Sequence, residues 1–168
     1  MFLCLFFSCA MQNLFCADWV ITNSGTYILN DDLLSTNADS SGAIRISSSF
    51  VTLDLNGRFV YQNNATAGAN GIVVDAGLTD VIIQNGTIVN FRRSGILVNA
   101  GCSVIKLQDL MIENCAIRGI ELIGTAANKI IKSEVNNCKI FNCCIITYFF
   151  LAILYCLLII SINFSASL

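Results

Sequence analysis

The sequence predicts an all-β chain folded as a parallel β-helix, a solenoid of about four coils with an N-terminal cap and a hydrophobic C-terminal tail. Short segments led by a small residue begin at Gly71, Gly95 and Gly119, at steps of 24 residues, and a similar one begins at Ala43. The segment that follows each of these alternates apolar and polar residues, which is typical of a half-buried strand. Such short strands cannot bury an apolar face alone, but coils stacked at the strand spacing of roughly 4.8 Å pair their backbone amides with one another.

Each repeat contains three short strands. The second strands occupy residues 51–54, 81–84, 105–108 and 133–136, and the third strands follow within a few residues, at 59–60, 87–90, 111–114 and 139–142. An antiparallel sandwich built from the same strands would show hairpin loops and irregular spacing. The constant step therefore favours the solenoid, and we assign residues 42–143 to its coils.

The two ends of the chain differ in composition from its middle. Of 168 residues, 55% are hydrophobic and 12% charged, the net charge is −2, and every charged residue lies between Asp18 and Lys139. Residues 1–17 combine an apolar run with small residues before two candidate cleavage points, so they are interpreted as a signal peptide. They contain no Lys or Arg, and the alternative is a true start at Met11. The signal predicts a secreted or cell-envelope protein.

Residues 18–41 are interpreted as the N-terminal cap. They contain apolar segments that do not fit the repeat spacing, and the open end of a solenoid needs an atypical cover. We expect Trp19 and Tyr27 to lie over the first coil.

The tail, residues 144–168, carries no charge. Residues 144–162 are long enough as a helix to cross a bilayer. A membrane anchor, a buried capping helix and an out-of-frame translation that replaces further coils all remain open. An anchor would conflict with a signal peptide, because Lys129, Lys132 and Lys139 precede the span and none follows.

Three phrases, at residues 25–29, 51–58 and 81–88, resemble the opening of bacterial right-handed parallel β-helix proteins of the pectin-lyase-like superfamily. The resemblance covers residues 19–143. It implies a right-handed coil and kinship with polysaccharide lyases, epimerases, phage tailspikes and adhesins. The phrase marks the fold rather than an activity, and Arg58 stands where that family often has His.

Asn90, Asn114 and Asn142 take one equivalent place, after the third strand. In the resembled family such residues form a buried ladder of side-chain amides. An identical amide one coil away supplies both a donor and an acceptor. We therefore expect a structural ladder here, with solvent-facing turn asparagines as the alternative.

The outward columns of neighbouring coils do not stack two acids, so the sequence predicts no catalytic residue, no metal site and no cofactor. Cysteines in the coils, such as Cys115 and Cys143, are interpreted as buried fillers because stacked side chains make poor disulfide geometry. The candidates for glycan contact are Arg92 and Arg93 at a corner and Gln84 and Gln108 on an outward column; a solvated turn is the alternative for the arginines.

These observations favour an exported β-helix repeat protein, a non-enzymatic surface or glycan-contacting fragment rather than an enzyme. The alternative is a truncated polysaccharide lyase, hydrolase or epimerase. A polysaccharide is the expected partner, with membrane contact through residues 144–162 if the tail is an anchor. No nucleic-acid partner is expected, and the oligomeric state is left open.

Overall fold

The computed structural model describes residues 19–36, 42–63, 68–123, 134–136, 139–141 and 144–148. Every regular element in these ranges is a β-strand. The strands are β1 Trp19–Ile21, β2 Gly25–Ile28, β3 Leu33–Ser35, β4 Ile44–Ile46, β5 Val51–Asp54, β6 Phe59–Gln62, β7 Ile72–Val74, β8 Thr79–Val89, β9 Ser94–Val98, β10 Ser103–Glu113, β11 Arg118–Ile123, β12 Glu134–Asn136, β13 Lys139–Phe141 and β14 Cys144–Tyr148.

The strands pair in parallel from one coil to the next. One sheet has the order β1-β4-β7-β9-β11-β14, and the other has the order β2-β5-β8-β10-β12. The third face is formed by β3, β6 and β13, together with the second halves of β8 and β10, which run for 11 residues around a corner. The predicted parallel solenoid of about four coils is confirmed.

The core lies inside the coils, where equivalent apolar side chains stack in columns. Ile44, Ile72, Ile96 and Ile120 form one column through the first sheet. The first three are completely buried, and Ile120 retains only 3% exposure. Burying an isoleucine side chain contributes about 1.5 to 3 kcal/mol. The alternation read from the sequence places these side chains inward because successive strand residues face opposite sides.

The predicted N-terminal cap is itself a coil. β1, β2 and β3 pair in parallel with β4, β5 and β6. Trp19 and Tyr27 occupy inward positions of that coil, in register with Ile44 and Leu53. Their rings meet edge to face with centroids 5.9 Å apart, and both pack against the core. The cover is therefore a pair of aromatic side chains inside a regular coil, not an irregular segment laid over it.

The C-terminal part also departs from the predicted boundaries. β14 pairs with β11, with a register shift between Arg118 and Glu121, so solenoid strands continue to Tyr148. Residues 1–18 and 149–168, which hold the predicted leader and most of the predicted tail, lie outside the described residues. In the part of the chain that the structure describes, no helix is long and apolar enough to cross a membrane.

The corners between strands are turned by residues with left-handed backbone conformation. Three corner columns contain the non-glycine residues with positive φ: Phe50, Asp80 and Val104 before the second strands; Asn56, Asn85 and Asp109 after them; and Asn90 and Asn114 after the third strands. Asn and Asp tolerate this conformation, whereas a β-branched residue does not. The sequence therefore fits the corners well at most positions and poorly at Val104.

Replacing Val104 with Asn is expected to stabilise the fold. Val104 has φ of 54°, and a left-handed conformation costs an ordinary L-residue about 1 to 2 kcal/mol. Since Val104 is only half-buried, we expect Val104→Asn to raise the free energy of unfolding by up to about 1 kcal/mol in urea titration. Lys106→Asn, two residues further along β10, is the control and should give no gain. An equal gain in both variants would contradict the strain at Val104.

Candidate functional site

The most regular polar feature on the outside of the solenoid is a column at the end of the second strands. Gln108 Nε2 donates to Gln84 Oε1 at 2.8 Å, and Gln84 Nε2 donates to Asp54 Oδ2 at 2.9 Å. The three residues are paired by strand register across β5, β8 and β10, and Asn136 in β12 follows in the same register. We call Asp54, Gln84 and Gln108 the outer ladder.

Asp54 anchors the outer ladder at its N-terminal end. Its Oδ1 accepts from the backbone N–H of Asn56 at 2.7 Å, and its Oδ2 also accepts from Asn85 Nδ2 at 3.1 Å. Burial by itself raises the pKa of the Asp54 carboxyl, but the hydrogen bonds from Gln84, Asn56 and Asn85 outweigh burial and hold the pKa below its ordinary value of 3.8. The ladder therefore begins at a carboxylate that is stabilised in its charged form.

Parallel in-register stacking explains why the outer ladder forms. Each coil places the same outward position above its counterpart, so one amide can donate to the coil before it and accept from the coil after it. Gln84 and Gln108 are half-buried, so part of each side chain still faces solvent. Because an amide has two N–H donors and a carbonyl oxygen with two lone pairs, Gln84 can bind a ligand without breaking the ladder.

A second outward column lies beside the outer ladder. Thr52, Ile82 and Lys106 are paired by the same register, two residues earlier on each strand. All three are half-buried. The resulting strip combines hydroxyl, amide, carboxylate and ammonium groups with the apolar side chain of Ile82 on the outer face of this sheet. Such a strip can bind a polar ligand through many weak hydrogen bonds.

The four candidate glycan contacts lie at two different corners. Gln84 and Gln108 belong to the outer ladder, whereas Arg92 and Arg93 follow the left-handed corner at Asn90. Both arginines are exposed, and the third-strand segment of β8 separates them from Gln84. The structure thus brings the two glutamines together but does not bring the arginines to them.

The prediction of a buried asparagine ladder is wrong at the two positions that the structure describes. Asn90 and Asn114 are both exposed, with φ of 65° and 52°. The left-handed backbone turns the chain at this corner, and the side chains face outward. Asn142 lies outside the described residues. These asparagines do take equivalent places on successive coils, but their amides are not enclosed in the core.

Two ion pairs stabilise contacts within the first sheet of the described chain. Arg45 Nε lies 2.9 Å from Asp75 Oδ1, and Ser47 Oγ donates to Asp75 Oδ2 at 2.6 Å. Arg118 Nη1 lies 2.6 Å from Glu121 Oε1, and both side chains are only 14% exposed. Since each carboxylate is paired with a nearby arginine of the fold, we interpret both ion pairs as structural.

The two cysteines whose side chains the structure describes behave as core residues. Cys102 and Cys115 are buried and free of disulfides. Burial raises the pKa of the Cys102 thiol, so the thiol stays protonated and unreactive. The prediction that Cys115 is a buried filler is confirmed, while Cys143 lies outside the described residues. Among the described residues, no group of three or more His, Cys, Asp or Glu side chains could hold a metal ion.

The charge state of Asp54 gives a pH-dependent prediction. A carboxyl whose pKa is lowered on folding contributes stability above its ordinary pKa of 3.8, and that stability is lost as the pH falls through the folded value. We therefore expect the difference in free energy of unfolding between the natural chain and Asp54→Asn to shrink as the pH falls below 3.8. Urea titrations at a series of pH values measure it. Gln84→Ala removes one donor and should show intermediate pH dependence, whereas parallel curves for all three proteins would contradict this account.

Comparison with known proteins identifies no relative of this chain. No protein-family model matches the chain, and neither a curated protein nor a solved structure matches it. The classification as a parallel β-solenoid therefore depends on the strand pairing and on the stacked core columns.

Proposed function

We propose that this chain is an exported, non-enzymatic β-solenoid that contacts polysaccharide through the outer ladder. The observation that supports this proposal is the in-register column of hydrogen-bonded side chains on the outside of the solenoid. The resemblance of its repeat phrases to right-handed β-helices of the pectin-lyase-like superfamily agrees with it. Within that superfamily the chain would be a surface or adhesive member rather than a lyase.

The chemistry of the ladder suits a hydroxylated ligand. Glycan hydroxyls both donate and accept hydrogen bonds, as do the side-chain amides of Gln84 and Gln108. The coils repeat these amides at the strand spacing of roughly 4.8 Å, so an extended polymer can meet similar groups at successive positions. The groups are preorganised by their contacts with one another, which lowers the entropy lost on binding.

The same groups give little support to catalysis. Glycoside hydrolysis uses two carboxyl groups flanking the scissile bond, one of them with a raised pKa. Asp54 is the one carboxylate of the outer ladder, and its pKa is lowered rather than raised. The alternative, a truncated polysaccharide lyase, hydrolase or epimerase, would need charged groups from coils beyond those described.

Binding to immobilised glycans tests the proposal. Purified protein is passed over neutral and acidic polysaccharides, and the outer-ladder variants Gln84→Ala and Gln108→Ala are compared with a double variant, Arg92→Ala with Arg93→Ala. We expect the ladder variants to lose binding and the arginine variant to retain it. If all variants bind like the natural chain, the outer ladder is not the contact surface.

Activity assays separate this proposal from the enzymatic alternative. The protein is incubated with pectate, alginate and related polyuronides in the presence of calcium. Unsaturated products are followed by ultraviolet absorbance, and new chain ends by a reducing-sugar assay. We expect neither signal to exceed that of a heat-denatured control. Sustained turnover would overturn the non-enzymatic proposal.

Export is tested by locating the protein and sequencing its N-terminus. We expect to find the protein in the medium or the cell envelope of a secreting host, with a mature chain that begins at Asp18. Resistance to carbonate extraction would show attachment to the membrane. Recovery in the cytoplasm with an intact N-terminus would contradict export.

A further inference from the structure

Phe50 is the most exposed large hydrophobic side chain in the part of the chain that the structure describes. It is 65% exposed, against 43% to 54% for the other four. It lies at the corner where β5 begins, and β5 ends in Asp54 of the outer ladder. At about 3.3 Å per strand residue, the two positions are about 13 Å apart along the strand. They therefore mark the two ends of one outer face.

The backbone of Phe50 is fixed by hydrogen bonds to both neighbouring coils. Its N–H donates to the carbonyl oxygen of Thr79 at 3.0 Å, and its carbonyl oxygen accepts from the N–H of Gly25 at 3.0 Å. Its φ is 58°, a left-handed value that Gly, Asn and Asp adopt more readily than a bulky residue does. The position of residue 50 is thus well defined, although the conformation there suits other residues better.

Packing within the fold does not explain a phenylalanine at this corner. Asp80 takes the equivalent corner of the next coil with φ of 56°, and Val104 in the coil after that is half-buried. Phe50 neither suits the left-handed backbone nor buries its ring. Strained residues cluster at functional sites, and such an outlier supports a hypothesis of function. Phe50 is therefore a candidate for contact with a ligand.

The charges around this face favour a neutral ligand. Asp54 and Asp80 lie at its two ends, and Asp109 follows the outer ladder at the next corner. Lys106 is the one basic residue in β5, β8 and β10. Because like charges repel, the carboxylates disfavour a polyuronide.

We propose that the outer ladder binds a neutral glycan whose sugar rings have an apolar face, and that Phe50 stacks on one of these rings. This inference rests on the proposed function and specifies its ligand. A pyranose with equatorial hydroxyls has polar edges and a face of C–H groups. Its hydroxyls match the amides of Gln84 and Gln108, and its C–H groups match the electron-rich face of an aromatic ring. Ile82, in register with Thr52, adds a further apolar group to the same face.

Affinity electrophoresis of the full chain tests this inference, with gels that contain a soluble neutral β-glucan or the acidic polymer polygalacturonate. Phe50→Asn removes the ring but suits the left-handed corner, so the variant should fold. We expect it to weaken binding of β-glucan by about tenfold, as the loss of an aromatic contact would. Phe50→Leu, which stays apolar without an aromatic face, should also weaken binding, whereas Phe50→Trp should retain it.

Phe59→Ala is the matched control, because Phe59 is another exposed phenylalanine of the same coil but lies on β6. It should leave binding of β-glucan unchanged, and so should added salt, since the ligand carries no charge. Equal losses in Phe50→Asn and Phe59→Ala would overturn the assignment of Phe50, as would unchanged binding in both Phe50→Asn and Phe50→Leu.

Comparison with Gln84→Ala separates failure of this inference from failure of the proposed function. Tighter binding to polygalacturonate than to β-glucan, lost in Gln84→Ala, would overturn the neutral ligand and leave the outer ladder as the contact surface. Binding to neither polymer would overturn this inference and would also count against glycan contact itself.

Discussion

Gly95→Ala is expected to destabilise the solenoid by about 1 to 3 kcal/mol or more, because the added methyl group has no space. A Cβ at position 95 would lie 2.6 Å from Ile112 Cγ2, 2.7 Å from the carbonyl oxygen of Gly119 and 3.1 Å from Cys115 Sγ. The contact with Gly119 is with backbone, so it can be relieved only if two coils separate. Urea unfolding followed by far-ultraviolet circular dichroism measures the loss.

Gly68→Ala is the matched control for Gly95→Ala. Its Cβ would meet the Arg93 side chain at 3.7 Å, an ordinary contact. A glycine replaced by alanine without strain gains about 0.4 to 1 kcal/mol through the unfolded state. We therefore expect Gly68→Ala to be neutral or slightly stabilising. If Gly95→Ala behaved in the same way, the close approach of neighbouring coils at Gly71, Gly95 and Gly119 would be disproved.

Ile96→Ala is expected to cost about 2 to 5 kcal/mol, as is typical when a buried isoleucine is truncated. Ile96 is completely buried, and it is paired with Ile72 in the coil before and Ile120 in the coil after. Removing its side chain leaves a cavity between two coils that the rigid backbone ladder cannot close. The midpoint of urea unfolding should fall, with little change in the slope of the transition.

Ile117→Ala provides the comparison on the surface. Ile117 is 45% exposed, and a surface substitution usually changes stability by no more than about 0.5 kcal/mol. A loss at Ile117 as large as the loss at Ile96 would mean that the column of isoleucines is not the core of the solenoid.

The middle of the fold is readable from the sequence because its signal is repeated. Gly71, Gly95 and Gly119 recur at a constant step, and the strands between them alternate because one face is buried and the other is not. Each repeat provides independent support for the same register. The strand pairing follows from that register alone, since parallel coils place equivalent residues on top of one another.

The first coil is hard to recognise in the sequence because it packs against a neighbouring coil on one side only. In β2, Gly25, Thr26 and Ile28 are exposed and Tyr27 is half-buried, so the apolar and polar alternation is weak. Its steps to the second coil are 25 residues in β1, 26 in β2 and 27 in β3, so a constant spacing does not mark it either.

The physical argument for a ladder of stacked amides is correct, but the sequence analysis applied it to the asparagines after the third strands. The structure has the stacked amides at the end of the second strands. A stacked amide does find a partner one coil away, as Gln84 and Gln108 show. Asparagine at a corner has a competing use, since it adopts the left-handed backbone of Asn90 and Asn114 more easily than most residues. Residue type alone does not separate these two uses. The position after the third strand, where the chain must turn, does separate them.

The edge-to-face pair of Trp19 and Tyr27 gives the molecule a built-in fluorescent reporter of one end. Trp19 is the one tryptophan in the chain, so intrinsic indole emission comes from the first coil alone. Solenoids gain stability from contacts between nearest neighbours, and their terminal repeats can open before the middle. Emission from Trp19 therefore reports fraying of the first coil, while circular dichroism averages over all coils, and the two signals together distinguish end fraying from cooperative unfolding.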